Sequence, residues 1–216
     1  MRASFDLIIF DLDGTLIEFH HEYLFEQTFR ILEQFQHPPV ARETLEHHFS
    51  SFEYFAFVQH QQEEFTEAFW NAFDWANFPK AQVLPNTLST LENLIGQGFS
   101  LAIATARLTP EETLREELAH TGLLNHISHV ASRSCKSIDW RDKRKMLLDV
   151  CLAHNVEPGR AMMIGDVPAD IESAKAAGIG LSIAVKSGGI KEDILAGTNP
   201  DFILDSIADL HTLFNR

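Results

Sequence analysis

The sequence predicts an α/β protein, a Rossmann-like doubly wound parallel sheet with an α-helical domain inserted near its start. Three observations predict it. Short, continuously apolar runs of strand length recur along the chain; helical patterns fill most of the intervals between them; and one long segment, residues 17–84, breaks that rhythm. Strands buried on both faces read as unbroken apolar runs, so the sheet is expected to be covered on both sides.

The first strand is expected in residues 5–10, FDLIIF, which end at the acidic turn Asp11-Leu12-Asp13-Gly14-Thr15. Comparable runs follow at residues 100–104, 127–131, 161–164 and 181–185, with a weaker one at 202–204. Helical patterns occupy residues 87–97, 110–121, 142–154 and 169–177. Residues 17–84 contain long helical patterns, almost no glycine and most of the 17 phenylalanines, and read as a helical insert. Gln36-His37-Pro38-Pro39 is its clearest internal breaker, while Phe78-Pro79 and Leu84-Pro85 mark the return. The expected division is therefore a core of residues 1–16 with 85–216, and an insert of residues 17–84. Helical spacing of the insert's aromatic residues, among them Phe25, Phe49, Phe55, Phe65, Phe69, Phe73 and Trp75, favours core packing over a ligand pocket. Its six histidines lack metal-ligand spacing, since His20-His21 and His47-His48 are adjacent and diverge on a helix.

Composition excludes several classes. A chain of 216 residues with 45% hydrophobic content can bury a sizeable core. A formal charge of −14, without an offsetting basic run, repels nucleic-acid phosphates and weakly favours divalent cations. Cys135 and Cys151 are too few for a disulfide framework, and a reducing, cytoplasmic setting is expected. Residues 1–10 do not read as a signal peptide, because Asp6 interrupts a short apolar run with no small-residue cleavage site. No stretch is long enough to span a bilayer.

Asp11 and Asp13 stand two residues apart where the first strand ends, and strand C-termini are where open α/β sheets build their sites. Carboxylates placed together repel unless a cation or a proton lies between them. Gly14 lets the turn close without a Cβ penalty, and the Thr15 hydroxyl can cap the departing turn. An acidic turn capping a surface loop fits the same residues, so the motif alone leaves both readings open.

FDLDGTL, residues 10–16, resembles the first signature of the haloacid dehalogenase superfamily, and three further signatures follow in order across nearly the whole chain. The resemblance implies that Asp11 attacks phosphorus and that Asp13 serves as general acid and base. Residues 101–105, LAIAT, resemble the second signature, an apolar strand ending in Ser or Thr, and imply that Thr105 hydrogen-bonds the transferring phosphoryl group. The third signature is a lysine that offsets charge on the nucleophile and phosphoryl group. Lys143 matches the spacing, the KPxP form is absent, and Lys136, Arg141 and Lys145 compete for the role. Gly165-Asp166-Val167-Pro168-Ala169-Asp170 resembles the fourth signature, GDxxxD. It implies Asp166 as a metal ligand and Asp170 as a further ligand or as the residue that orients a metal-bound water. The implied cofactor is Mg2+, held by the carboxylates of Asp11 and Asp166 and the backbone carbonyl of Asp13. Gly14, Thr15, Ala106 and Arg107 are candidate substrate contacts, as is the loop Lys186-Ser187-Gly188-Gly189.

Within the family, dehalogenases and phosphonatases generally lack an acidic residue at the position of Asp13, since they have no alkoxide leaving group to protonate. Asp13 therefore favours a phosphatase. Phosphomutases keep both aspartates, so a mutase stays open, as does a catalytically silent member that binds or regulates. Residues 159–210 look most like the phosphoglycolate-phosphatase-like branch, and the insert matches the helical C1-type cap in position and approximate length. Such a cap is expected to close over the site and set specificity. The expected partner is a small phosphorylated substrate, with neither nucleic acid nor membrane; oligomeric state is not readable from the sequence.

Overall fold

The computed structural model describes residues 5–72, 80–107, 109–133 and 141–214. Among these, six strands form one sheet: β1 (Leu7–Phe10), β2 (Ser100–Thr105), β3 (His129–Ser132), β4 (Ala161–Gly165), β5 (Leu181–Val185) and β6 (Phe202–Leu204). All pair in parallel, in the order β3-β2-β1-β4-β5-β6. The helices are α1 (His21–Gln34), α2 (Arg42–Ser50), α3 (Gln62–Asn71), α4 (Thr87–Gly96), α5 (Glu111–His120), α6 (Arg144–Ala153), α7 (Pro168–Ala176), α8 (Glu192–Gly197) and α9 (His211–Phe214). By contact density the chain divides into two compact units, Met1–Glu18 with Ala81–Arg216, and Phe19–Lys80.

The sheet explains why its strands read as unbroken apolar runs. Successive side chains of a strand point to opposite faces, and each face here has its own cover. Ile8 and Phe10 pack with Leu101, Ile103, Met162 and Ile164 on one face, against Leu91 and Leu94 of α4 and Leu114 and Leu118 of α5. Leu7 and Ile9 pack with Ala102, Ala104 and Met163 on the other, against Leu147 and Val150 of α6 and Ala174 of α7. All four residues of β1 are fully buried as a result.

Strands β2 and β3 step away from β1 on one side and β4, β5 and β6 on the other, so the winding reverses between β1 and β4. Open α/β sheets bind ligands outside the strand C-termini at such a reversal. Phe10 pairs with Ile164, which brings the residues after both strands to one edge.

Two strands begin two residues later than expected: β1 at Leu7 rather than at residue 5, and β3 at His129 rather than at residue 127. Ser128 instead directs both its backbone N–H and its hydroxyl at the Leu101 carbonyl, at 2.9 and 2.8 Å. The short helices α8 and α9 were not singled out, because six and four residues are too few to show a helical stripe.

In the unit Phe19–Lys80, α1, α2 and α3 enclose a separate core of Leu24, Phe25, Ile31, Leu45, Phe49, Phe55, Phe65 and Phe69. Phe25 meets Phe49 edge-on with centroids 5.1 Å apart, and Phe55 lies 4.8 Å from Phe69. Gln27, buried on α1, donates to the Ala72 carbonyl at 3.1 Å just past the end of α3. Phe73 and Trp75 lie outside the described residues. At the base of the core's own excursion, the chain leaves and returns side by side: Ile17 forms an antiparallel bridge with Val83. Glu18 N–H donates to Gln82 O at 2.8 Å, and Leu84 N–H to Leu16 O at 3.0 Å.

Candidate active site

The site begins where β1 runs out. Asp11 N–H donates to the Ile164 carbonyl at 2.8 Å, so this residue still belongs to the β1–β4 ladder while its side chain stands at the sheet edge. The Leu12 carbonyl then collects the N–H groups of Leu16 at 2.9 Å and Ile17 at 3.1 Å, which folds the chain back tightly. Gly14 sits at φ +79°, a left-handed conformation that side chains rarely adopt.

Asp166 leaves β4 as Asp11 leaves β1, and α7 follows with Pro168 at its first position, where a missing N–H costs nothing. Asp170 lies in the first turn of α7, where the helix dipole favours a carboxylate, and its Oδ2 accepts the Val167 N–H at 3.3 Å. Ligand oxygens of Asp11, Asp166 and Asp170 lie within 4.8 Å of one another, and all three residues are buried.

Lys143 enters this cluster from the start of α6. Its Nζ donates to Asp11 Oδ1 at 2.6 Å and Asp170 Oδ1 at 2.7 Å, with only 3% of the side chain exposed. The competing Lys145 is exposed and pairs with Asp149 along α6. Lys136 lies outside the described residues. Ser173, one turn beyond Asp170, accepts the Lys143 backbone N–H at 2.9 Å and donates to Arg141 O at 3.2 Å, so α7 also fixes where α6 starts. Sequence reasoning passed over Ser173, although its i+3 spacing from Asp170 places both on one helix face.

The electrostatics follow from three carboxylates and one ammonium held out of water. Burial pushes the Asp11 carboxyl up to about 7, with Lys143 opposing and Asp170 adding to the rise. Burial likewise raises Asp166 well above the ordinary carboxylate range, with Asp11 and Asp170 contributing. For Lys143, burial disfavours the charge, but Asp11 and Asp170 outweigh it and hold the ammonium firmly protonated. The donor set is all oxygen and short of positive charge, which fits a hard divalent cation such as Mg2+.

Thr15 is fully buried, and its hydroxyl donates to Asp166 Oδ1 at 2.9 Å. The hydroxyl therefore orients Asp166, a role the sequence did not assign to it. Asp166 is also hemmed in by backbone, because a Cβ built on Gly14 or on Gly188 would overlap its Oδ2. Ser187 Oγ donates to Gly14 O at 2.6 Å and joins the two loops. Gly188 thus forms a wall against Asp166, a placement the sequence did not suggest for this candidate contact loop after β5. A Cβ on Gly165 would similarly overlap Asp170.

The Asp13 carboxylate turns to Arg107. Arg107 Nε and Nη2 bond its Oδ2 and Oδ1 at 2.7 and 2.6 Å, and Nη1 bonds Glu117 Oε2 of α5 at 2.7 Å. Arg107 is a candidate substrate contact in the sequence, and in the structure its guanidinium bonds two carboxylates of the protein. Thr105 closes β2 at the same sheet edge, and its Oγ1 accepts the Arg107 N–H at 3.2 Å, with half-buried Ala106 between them.

A family model of haloacid dehalogenase-like hydrolases matches residues 8–184, from β1 into β5. The chain belongs to this family. Among curated relatives, it is 28% identical to phosphoglycolate phosphatase of Vibrio vulnificus over 60% of its length and 55% of that protein. It is 31% identical to phosphoglycolate phosphatase of Rhodospirillum rubrum over 60% of its length and 52% of that protein. The chain thus spans about half the length of these two relatives. To pyrophosphatase PpaX of Bacillus pumilus it is 26% identical over 97% of its length and 96% of that protein. Among solved structures, a haloacid dehalogenase-like hydrolase from Streptococcus pneumoniae superposes with a TM-score of 0.74 at 21% identity, covering 98% of this chain and 99% of that one. A HAD phosphatase from Thermococcus onnurineus gives 0.63 at 23% identity, covering 97% of each chain. At those identities the superpositions speak for the fold. No described helix is long and apolar enough to cross a membrane.

Proposed function

We propose that this protein is a magnesium-dependent phosphatase that hydrolyses a small phosphorylated metabolite through an aspartyl-phosphate on Asp11. The observation that carries the reading is the buried Asp11 carboxylate, held through one oxygen by Lys143 beside Asp166 and Asp170. With Oδ1 bonded to Lys143, Oδ2 is the oxygen assigned to attack on phosphorus. Breaking the ester bond sends an alkoxide out, and Asp13 supplies its proton. Asp13 then takes a proton from water, which attacks the phosphorus, releases inorganic phosphate and restores Asp11. Lys143 and Thr105 offset charge on the phosphoryl oxygens. Asp11 and Asp166, with the Asp13 carbonyl, would hold Mg2+, and Asp170 is a further ligand or orients a bound water. Once bound, the ion would supply neutralisation of charge at the phosphoryl oxygens. The helical unit is assigned the part of a cap that selects the ester admitted. The family likeness supports phosphatase chemistry, and the phosphoglycolate phosphatases and pyrophosphatase among the relatives point to small phosphate compounds. The charge of −14 disfavours nucleic acid as substrate, and buried Cys151, a free thiol that burial pushes up to about 11, suits a reducing cytoplasm.

A panel of phosphorylated metabolites with Mg2+, scored for released phosphate, tests the proposal. Asp11→Asn should lower kcat by about 10⁴-fold or more, as loss of a covalent nucleophile does elsewhere. Phosphate retained on an isomerised product would point to a mutase, and full turnover by Asp11→Asn would remove the nucleophile from the mechanism.

A further inference from the structure

Arg107 is held at both ends. Its backbone N–H donates to Thr105 Oγ1 at 3.2 Å, and its carbonyl accepts the Arg133 N–H at 3.2 Å. Its guanidinium is committed through Nε and Nη2 to Asp13 and through Nη1 to Glu117, with only 5% of the side chain exposed. A planar fork that grips both oxygens of a carboxylate fixes its direction, which a lysine's point charge cannot do. Glu117, seated on α5, keeps that fork from rotating away. An ionised carboxylate offers about four lone-pair sites, so the two bonds from Arg107 leave Asp13 with sites to accept from the hydrolytic water or to carry the proton it gives to the leaving oxygen. Burial disfavours the Arg107 charge, but Asp13 and Glu117 keep it protonated.

We propose that Arg107, anchored by Glu117, is the positioning residue that aims Asp13 at the leaving oxygen and at the hydrolytic water. The proposal rests on the phosphatase reading, and it differs from a direct substrate contact in what each kinetic step should feel. With p-nitrophenyl phosphate the leaving phenolate needs no proton, so formation of the aspartyl-phosphate does not call on Asp13, whereas its hydrolysis does. An unactivated ester such as glycerol 2-phosphate calls on Asp13 in both steps.

The test compares native protein, Arg107→Met, Arg107→Lys and Glu117→Gln on both esters with Mg2+, with pre-steady-state release of nitrophenolate. On p-nitrophenyl phosphate, Arg107→Met should keep a first-turnover burst and a kcat/KM within about threefold of native, while kcat falls about tenfold or more. On glycerol 2-phosphate, kcat/KM should fall as well. Arg107→Lys should not restore kcat, and Glu117→Gln, which weakens the anchor but keeps the fork's own bonds to Asp13, should lower it in the same direction by less. Loss of kcat/KM on both esters alike, loss of the burst, or no change at all would overturn the assignment. Native protein that releases no nitrophenolate would instead overturn the phosphatase reading and this inference with it.

Discussion

Lys143 and Arg107 each tie an aspartate of the turn after β1 to a carboxylate on a helix. Lys143 joins Asp11 to Asp170 of α7, and Arg107 joins Asp13 to Glu117 of α5. Their surroundings differ. Around Lys143 the partner side chains are 9% and 0% exposed, so the charges act on one another without water between them. Around Arg107 the partners are 16% and 26% exposed, which leaves Asp13 reachable. The inner pair concentrates charge where a nucleophile and a cation would meet, and the outer one governs direction at the rim. A point charge suits the first task and a planar fork the second.

Removing the inner cation should have the largest effect. Lys143→Met leaves the buried carboxylates of Asp11 and Asp170 without their ammonium, and breaking such a pair costs about 3–5 kcal/mol. The metal-free melting temperature should fall by roughly 10 °C, and kcat by about 10²–10³-fold. A variant that melts like native protein would show that the carboxylates are compensated by something other than Lys143. Gly188→Ala probes the carboxylate that neither pair holds, since the added methyl would overlap Asp166 Oδ2. Magnesium affinity measured by calorimetry should fall about 10–100-fold, as for other changes just outside a metal's ligands. Unchanged affinity would mean that the loop after β5 yields freely.

The smallest effect is one of pH. In the metal-free protein Asp11 is held near 7 by burial, against about 3.9 in an unfolded chain. Between those values the folded state binds a proton that the unfolded state does not, so metal-free stability falls as pH rises through that window. A cation must compete with that proton. The rise in melting temperature on adding Mg2+ should therefore be larger at pH 8 than at pH 5.5, by a few degrees. Equal shifts at both would argue that Asp11 is already ionised without metal.

The sheet and the inner cluster were legible in the sequence for a physical reason. Strands covered on both faces leave unbroken apolar runs, and residues immediately after them must lie at one edge, which placed Asp11, Thr105 and Asp166 together. Spacing favoured Lys143 without excluding its neighbours, because Lys143 and Asp11 are 132 residues apart and nothing local separates a buried lysine from an exposed one two residues on. The Asp13–Arg107 pair spans 94 residues and leaves no pattern at all. The break between α2 and α3 was equally hidden, since Phe52 and Gln61 adopt φ of 60° and 58° without a glycine or proline to announce it.

The Ile17–Val83 bridge has a consequence for engineering. Where a chain exits and re-enters through adjacent, hydrogen-bonded positions, the host closes the same short gap whatever lies in the interval, and the entropy of joining the ends does not grow with the size of the guest. The point of insertion is thus a closed pair of positions, Ile17 and Val83, within one unit. A different guest of any length whose own termini lie side by side could be spliced between Glu18 and Ala81 without shifting Leu16 from Leu84 or disturbing the strand that carries Asp11. The stretch that carries the Asp11 site can therefore stay as it is while the inserted stretch is rewritten.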